Sequence, residues 1–141
     1  MAATPIPARS RLALGLGCDR GTPLATLERA VAEALAGLGA DLSQVAVAAT
    51  IDLKADEAGL LQLAAVHGWP LRFYSAAQLA AVPVPNPSPT VLRHTGTPSV
   101  SAAAALLAAG RAAGPLLLEK HKLQDAAGKH ATVSIARIDD D

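Results

Sequence analysis

Cysteine is almost missing from this chain of 141 residues: Cys18 is the only one. That excludes an intrachain disulfide and a zinc site built from cysteines, and it makes a reducing cytoplasm the expected compartment. Aromatic residues are as scarce, with one Trp, one Tyr and one Phe. Single-stranded nucleic acid would find no stacking platform here. Neither sign of charge is in excess, since Lys and Arg number 12 and so do Asp and Glu. Nucleic acid and membrane surfaces both call for a basic surplus, so neither is an expected partner. Gly, Pro or charge interrupts each apolar stretch before it could span a bilayer. The opening "MAATPIPARSR" lacks the apolar centre of a signal peptide. His67, His94, His121 and His130 show neither H-x-x-x-H nor H-x-H spacing, so no metal site is indicated and no cofactor is called for. No G-x-S-x-G elbow occurs either.

Apolar residues are abundant, at 51% of the chain, and only 17% are charged. This suits one globular domain, expected over residues 11–138 with flexible ends at 1–10 and 139–141. "RLALGLG" (Arg11–Gly17) reads as a buried strand closed by Gly. In "TPLATLERAVAEALAGLG", Thr22 is the expected cap, Pro23 the first helical residue, Glu28 an early acid and Gly39 the stop. "QVAVAAT" (Gln44–Thr50) is a second strand, and Asp56 is expected to open the helix that Gly68 ends. "PLRFYS" (Pro70–Ser75) is a third strand, with Ser75 capping "AAQLAAV". Strand–helix repeated in this way implies right-handed crossovers and a parallel sheet covered on both faces. The proline-rich Pro83–Pro89 is an extended linker, "PTVLRHTG" a short helix, and Pro98–Gly110 a further helix. "PLLLEKHKL" and "KHATVSIARI", joined through "QDAAGK", form an antiparallel hairpin. The expected fold class is a three-layer α/β/α sandwich whose sheet is mostly parallel, with a C-terminal antiparallel hairpin.

The stretch "LGLGCDRGT" is the most suggestive. Its glycines miss the dinucleotide fingerprint because Arg20 stands where the third Gly belongs, and Thr22 stands where a P-loop needs lysine. A strand, a Gly-rich turn and a helix start nevertheless point N–H groups at an anion, and Arg20 adds a guanidinium. A tight packing turn explains the same residues, and both readings stay open. The loop offers Gly17, Cys18, Arg20, Gly21 and Thr22. Ligands of open α/β sheets lie beyond the strands' carboxyl ends, which adds Thr50, Asp52 and Lys54 from "ATIDLKADE", along with Tyr74 and Ser75. "HTGTPSV" is a second turn of small residues, with Thr95, Gly96, Thr97 and Ser99. In "LEKHKL", Lys120 and Lys122 share a strand face opposite His121, and Lys129 and His130 lie across the hairpin. Asp52 and His121 are the candidate general bases, whereas Cys18 is expected to be a small filler rather than a nucleophile.

"GLGCDRGT", "ATIDLKADEAGLLQLA", "LRFYSAAQLAAV", "VPNPS" and "HTGTPSVSAAAALLAAG", in this order, resemble the CobE/CbiG C-terminal family of cobalamin biosynthesis, and its free-standing members most. Asp19 departs from the family's G-x-G-C-R-R-G-T pattern, in which a basic residue is usual. The resemblance implies a three-layer α/β domain that handles a precorrin or corrinoid intermediate as carrier or accessory factor, in the company of other enzymes of that pathway. Longer relatives open a ring-A lactone of a cobalt-precorrin and release a two-carbon fragment, so a lactone hydrolase is the alternative. The ligand's dispersed carboxylates would need several separate cations and N–H groups, as this sequence offers.

Overall fold

Leucines at every second position of "LALGLG" face one way and small residues the other, and the sheet is organised around that asymmetry. The computed structural model describes residues 10–83, 100–110 and 116–138. The elements are β1 (Leu12–Cys18), α1 (Leu24–Gly37), β2 (Val45–Ile51), α2 (Ala58–His67), β3 (Leu71–Tyr74), α3 (Ala76–Ala80), α4 (Val100–Ala108), β4 (Leu118–Gln124) and β5 (His130–Arg137). They build a five-stranded sheet ordered β3-β2-β1-β5-β4. β1, β2 and β3 pair in parallel. β5 is antiparallel to both β1 and β4, so β4 points the same way as β1. The expected hairpin is present, but its second strand is inserted next to β1 and its first forms the edge.

Leu12, Leu14 and Leu16 pack with Leu27, Val31 and Leu35 of α1 and with Leu60 and Leu63 of α2. Each such leucine contributes about 1.5–3 kcal/mol by leaving water. On the opposite face Ala13, Val47, Ala49 and Ile51 meet Ala103, Ala104, Ala105 and Leu106 of α4. Small side chains on both sides let this helix approach closely. A Cβ on Gly15 would lie 1.7 Å from the Ser101 carbonyl oxygen, so only glycine fits beneath α4. Ser134, fully buried on this face, donates to the Glu119 carbonyl and shares a hydrogen bond with the Ser101 hydroxyl.

Several local expectations are corrected. Pro23, not Thr22, holds the N-cap position of α1, without a side-chain cap bond; the Thr22 hydroxyl turns back to Asp19 O at 2.7 Å. Glu57, not Asp56, stands at the N-cap of α2. Glu28 lies beyond the first turn of α1 and meets His67 Nε2 at 2.7 Å. Ser10 is buried rather than part of a loose end, and its carbonyl accepts from Gln44 Nε2. The Ser75 cap is as expected, completed by Gln78. The expected linker beyond Pro83, the short helix at 89–96, and the ends at 1–9 and 139–141 lie outside the described residues.

Candidate functional site

Because β4 runs with β1, β2 and β3, their carboxyl ends share one edge of the sheet with the start of β5. Two arrangements of side chains occupy that edge, one turned inward and one open.

The inward arrangement answers the question of the glycine loop. The loop does hold an anion, and it is the protein's own Glu57. Gly21 takes φ +78°, a conformation glycine adopts without strain, and its N–H donates to Glu57 Oε2 at 3.0 Å. The Glu57 side chain is only 6% exposed, so this hydrogen bond and the nearby guanidinium are what make its burial tolerable. Arg20 Nη1 lies 2.7 Å from Asp56 Oδ1 and 3.4 Å from Glu57 Oε1, and Nη2 donates to Leu53 O at 2.6 Å. The guanidinium thus joins the β1–α1 loop to the β2–α2 loop. Its hydrogen bond holds the Asp56 carboxyl below the ordinary range, and Asp56 in turn raises Arg20. Lys129 Nζ donates to Arg20 O at 2.7 Å. Behind the loop α2 comes in so closely that a Cβ on Gly59 would sit 2.4 Å from Thr22 O.

Cys18 lies beside this network. Burial pushes its thiol up to about 11, and Lys54 opposes that only in part. At neutral pH it is a protonated filler. Asp19 points to the other side, where its Oδ2 accepts the backbone N–H of His130 at 2.8 Å and meets His130 Nδ1 at 2.9 Å. Burial alone would raise the Asp19 carboxyl; the His130 hydrogen bonds and the charges of His130 and Lys129 more than offset it and lower it.

The open arrangement follows from strand register. Gly17 is paired with Thr132, Thr132 with Lys122, and His130 with Gln124. Gly15 and Ser134, two residues further along, lie under α4, so alternation puts Gly17, Thr132, Lys122 and His130 on that same face, past the helix start at Val100. Among the described residues, a Cβ on Gly17 would meet nothing nearer than Thr132 Cβ at 3.9 Å. Glycine here leaves a low floor, with Lys122 exposed on one side and the His130 side chain 58% exposed at its end.

The residues singled out in the sequence divide accordingly. Gly17 and Lys122 share the open face; Lys120, earlier in β4, stands within the register shift between Leu118 and His121, and burial, then Lys122, lower its ammonium. Arg20 and Gly21 bind their own chain. Thr22 and Thr50 are buried at 1% and 0%, and the Thr50 hydroxyl donates to Leu16 O at 2.7 Å. Asp52 is exposed in a single helical turn after β2, and Lys54 follows it, half-buried; its carbonyl accepts the Glu57 N–H at 2.9 Å, while its ammonium has no hydrogen bond or ion pair within the described residues. His121 is on the α1 face, 2.8 Å from Glu33 Oε1, so it and Asp52 are not brought together. Thr95, Gly96, Thr97 and Ser99 lie outside the described residues. Glu57 as the loop's anion and the Asp19–His130 pair were not foreseen. The acid at position 19, with a histidine across the hairpin, was the available signal.

Fold and edge together define an α/β domain with helices on both faces of a mixed sheet and a polar edge. The chain belongs to the Cobalamin synthesis G C-terminus family, which it matches over residues 12–136, and it is a cobalamin biosynthesis protein of the CobE/CbiG kind. It is 37% identical to "Protein CobE" of a Sinorhizobium species, across 89% of this chain and 79% of that one. It is 39% identical to "Cobalt-precorrin-5A hydrolase" of Priestia megaterium, across 90% of this chain but only 32% of the hydrolase, so it spans about a third of that relative's length. The crystal structure of CobE, a protein from the cobalamin biosynthetic pathway, superposes with a TM-score of 0.77 at 36% identity, covering 96% of this chain and 94% of that one. Cobalamin biosynthesis protein chiG from Agrobacterium tumefaciens gives 0.64 at 34% identity, covering 92% and 99%. No helix within the described residues is long and apolar enough to cross a membrane.

Proposed function

We propose that this chain binds a precorrin or corrinoid intermediate at the carboxyl edge of its sheet, as a carrier or accessory factor that other enzymes of the pathway meet. The observation that carries this reading is the low floor at Gly17 and Thr132 next to the exposed Lys122. A flat ring with carboxylates at its rim needs a shallow surface with cations set apart, rather than one concentrated phosphate cradle. Lys54 and Lys122 are the cations best suited to ligand carboxylates. Arg20 is not, because its donors already hold Asp56, Glu57 and Leu53. The expected outcome is co-elution of the pure protein with corrinoid intermediates and a change in their visible spectrum. Elution of protein and ring as separate species, across cobalt-containing and cobalt-free intermediates, would refute the reading.

A second reading, hydrolysis of a ring-A lactone with loss of a two-carbon fragment, is favoured by the 39% identity to the hydrolase. It requires a base with a reacting carbonyl in reach. His121 is engaged by Glu33 on the α1 face, which leaves exposed Asp52 as the candidate from the sequence. Release of a two-carbon aldehyde from a lactone-bearing precorrin, lost in Asp52→Asn, is the outcome that would favour the enzyme.

A further inference from the structure

The three described histidines hold carboxylates in two different ways. His67 and His121 each direct Nε2 at a glutamate of α1, Glu28 at 2.7 Å and Glu33 at 2.8 Å. His130 uses Nδ1 instead, 2.9 Å from Asp19 Oδ2, and its Nε2 has no hydrogen-bond partner within the described residues. Asp19 is itself fixed, because the same oxygen accepts the His130 backbone N–H and its own N–H donates to His130 O at 3.1 Å. A carboxylate so placed keeps the proton on Nδ1 and leaves the Nε2 lone pair directed away from it. The ring stands exposed at the end of the open face that carries Gly17, Thr132 and Lys122.

We propose that His130 Nε2, oriented by Asp19, is an axial ligand to the cobalt of a corrinoid bound at this edge, so that the site prefers metallated to metal-free rings. The proposal rests on the corrinoid-binding reading above and names the ligand class within it. No group of three or more His, Cys, Asp or Glu within the described residues could hold a metal ion. One imidazole is too little for a bare ion, but it suits an ion whose in-plane positions are already filled by ring nitrogens. The step is a ligand exchange: the Nε2–Co bond forms, an axial water leaves, and the oxidation state is unchanged. A basic residue at position 19 would deprive His130 of its partner.

The test uses cobyrinic acid, a cobalt corrin with carboxylates around the ring and no base of its own, together with the same corrin lacking cobalt. Bound to the full chain and reduced to Co(II), the cobalt corrin should show electron-paramagnetic splitting from one nitrogen nucleus. His130→Ala should still bind the ring through its carboxylates, lose the splitting, and take both rings with equal affinity. Asp19→Asn should weaken the cobalt-dependent part of the affinity roughly 10- to 100-fold; it leaves every backbone group of the hairpin in place and guards against misfolding of the alanine variant. A cobalt ring bound without nitrogen coupling, or coupling that survives in His130→Ala, would overturn the proposal while leaving corrinoid binding intact. Failure to bind either ring would overturn both.

Discussion

Arg20 and Lys54 are near neighbours in space with opposite circumstances, and their variants should behave differently. Arg20 ties two loops through Asp56, Glu57 and Leu53 O. Arg20→Ala should therefore leave Glu57 buried with one partner fewer, and should lower the thermal midpoint as well as any ligand affinity. Lys54→Ala and Lys122→Ala should leave the midpoint unchanged and weaken corrinoid binding only several-fold each, since an exposed ion pair contributes about 0.2–1 kcal/mol. Isothermal titration beside thermal unfolding separates the two; an Arg20→Ala protein as stable as the parent would contradict the structural role. Cys18, with its thiol pushed up to about 11, should react with a disulfide reagent at neutral pH far more slowly than a small-molecule thiol, and Cys18→Ser should retain function. Acid provides a third test. The carboxyls of Asp19, Asp56 and Asp125 are lowered in the folded protein, so each stabilises fully above the ordinary Asp value near pH 4 and ceases to as pH falls through its folded value. The midpoint should hold level from neutral pH to about 5 and decline below about 4, less steeply in Asp56→Asn.

Elements meet here through missing side chains. α4 lies on Gly15, and α2 reaches the first loop over Gly59. In Gly15→Ala the added carbon would collide with backbone at Ser101, and backbone cannot swing aside as a side chain can. The expected cost is at least about 1–3 kcal/mol, the usual range for overpacking, read as a lower denaturant midpoint. Gly17→Ala, whose new carbon would make only an ordinary van der Waals contact with Thr132 Cβ among the described residues, should fold normally and disturb only what rests on the open face. The sequence made the three glycines visible but not their separate roles: close approach at Gly15, an open floor at Gly17, a positive φ at Gly21. Strands and helices were legible because periodicity and local punctuation carry them, as in Ser75 with Gln78. Thr22 and Asp56 failed as caps for a tertiary reason, since each is drawn to a partner outside its own helix, to Asp19 O and to Arg20. Nothing local announces that Glu57 will fill the anion site of a loop thirty-six positions away.

At the scale of the molecule, the edge combines a neutral overall balance with locally separated cations, and binding of a polycarboxylate ring should weaken as salt rises. Affinity measured at low and at high ionic strength checks this; equal values would move the site to an apolar surface elsewhere. The parallel half of the sheet was legible from alternating strands and helices, but the strand order was not, because pairing of β5 with β1 depends on contacts more than a hundred residues apart.

That pairing sets a timetable. β1 leaves the ribosome before every other strand of the sheet and β5 after them all, yet β5 lies directly against β1 and separates it from β4. Until β5 emerges, the leucine-lined β1 can satisfy only its β2 side, and its other row of backbone groups stands open to any passing strand. A nascent chain arrested before His130 should then be protease-sensitive and prone to self-association, whereas one arrested well beyond Arg137 should be closed and resistant. With the corrinoid held at the start of β5, as proposed, the appearance of the ligand edge and the closing of the fold are one event in time.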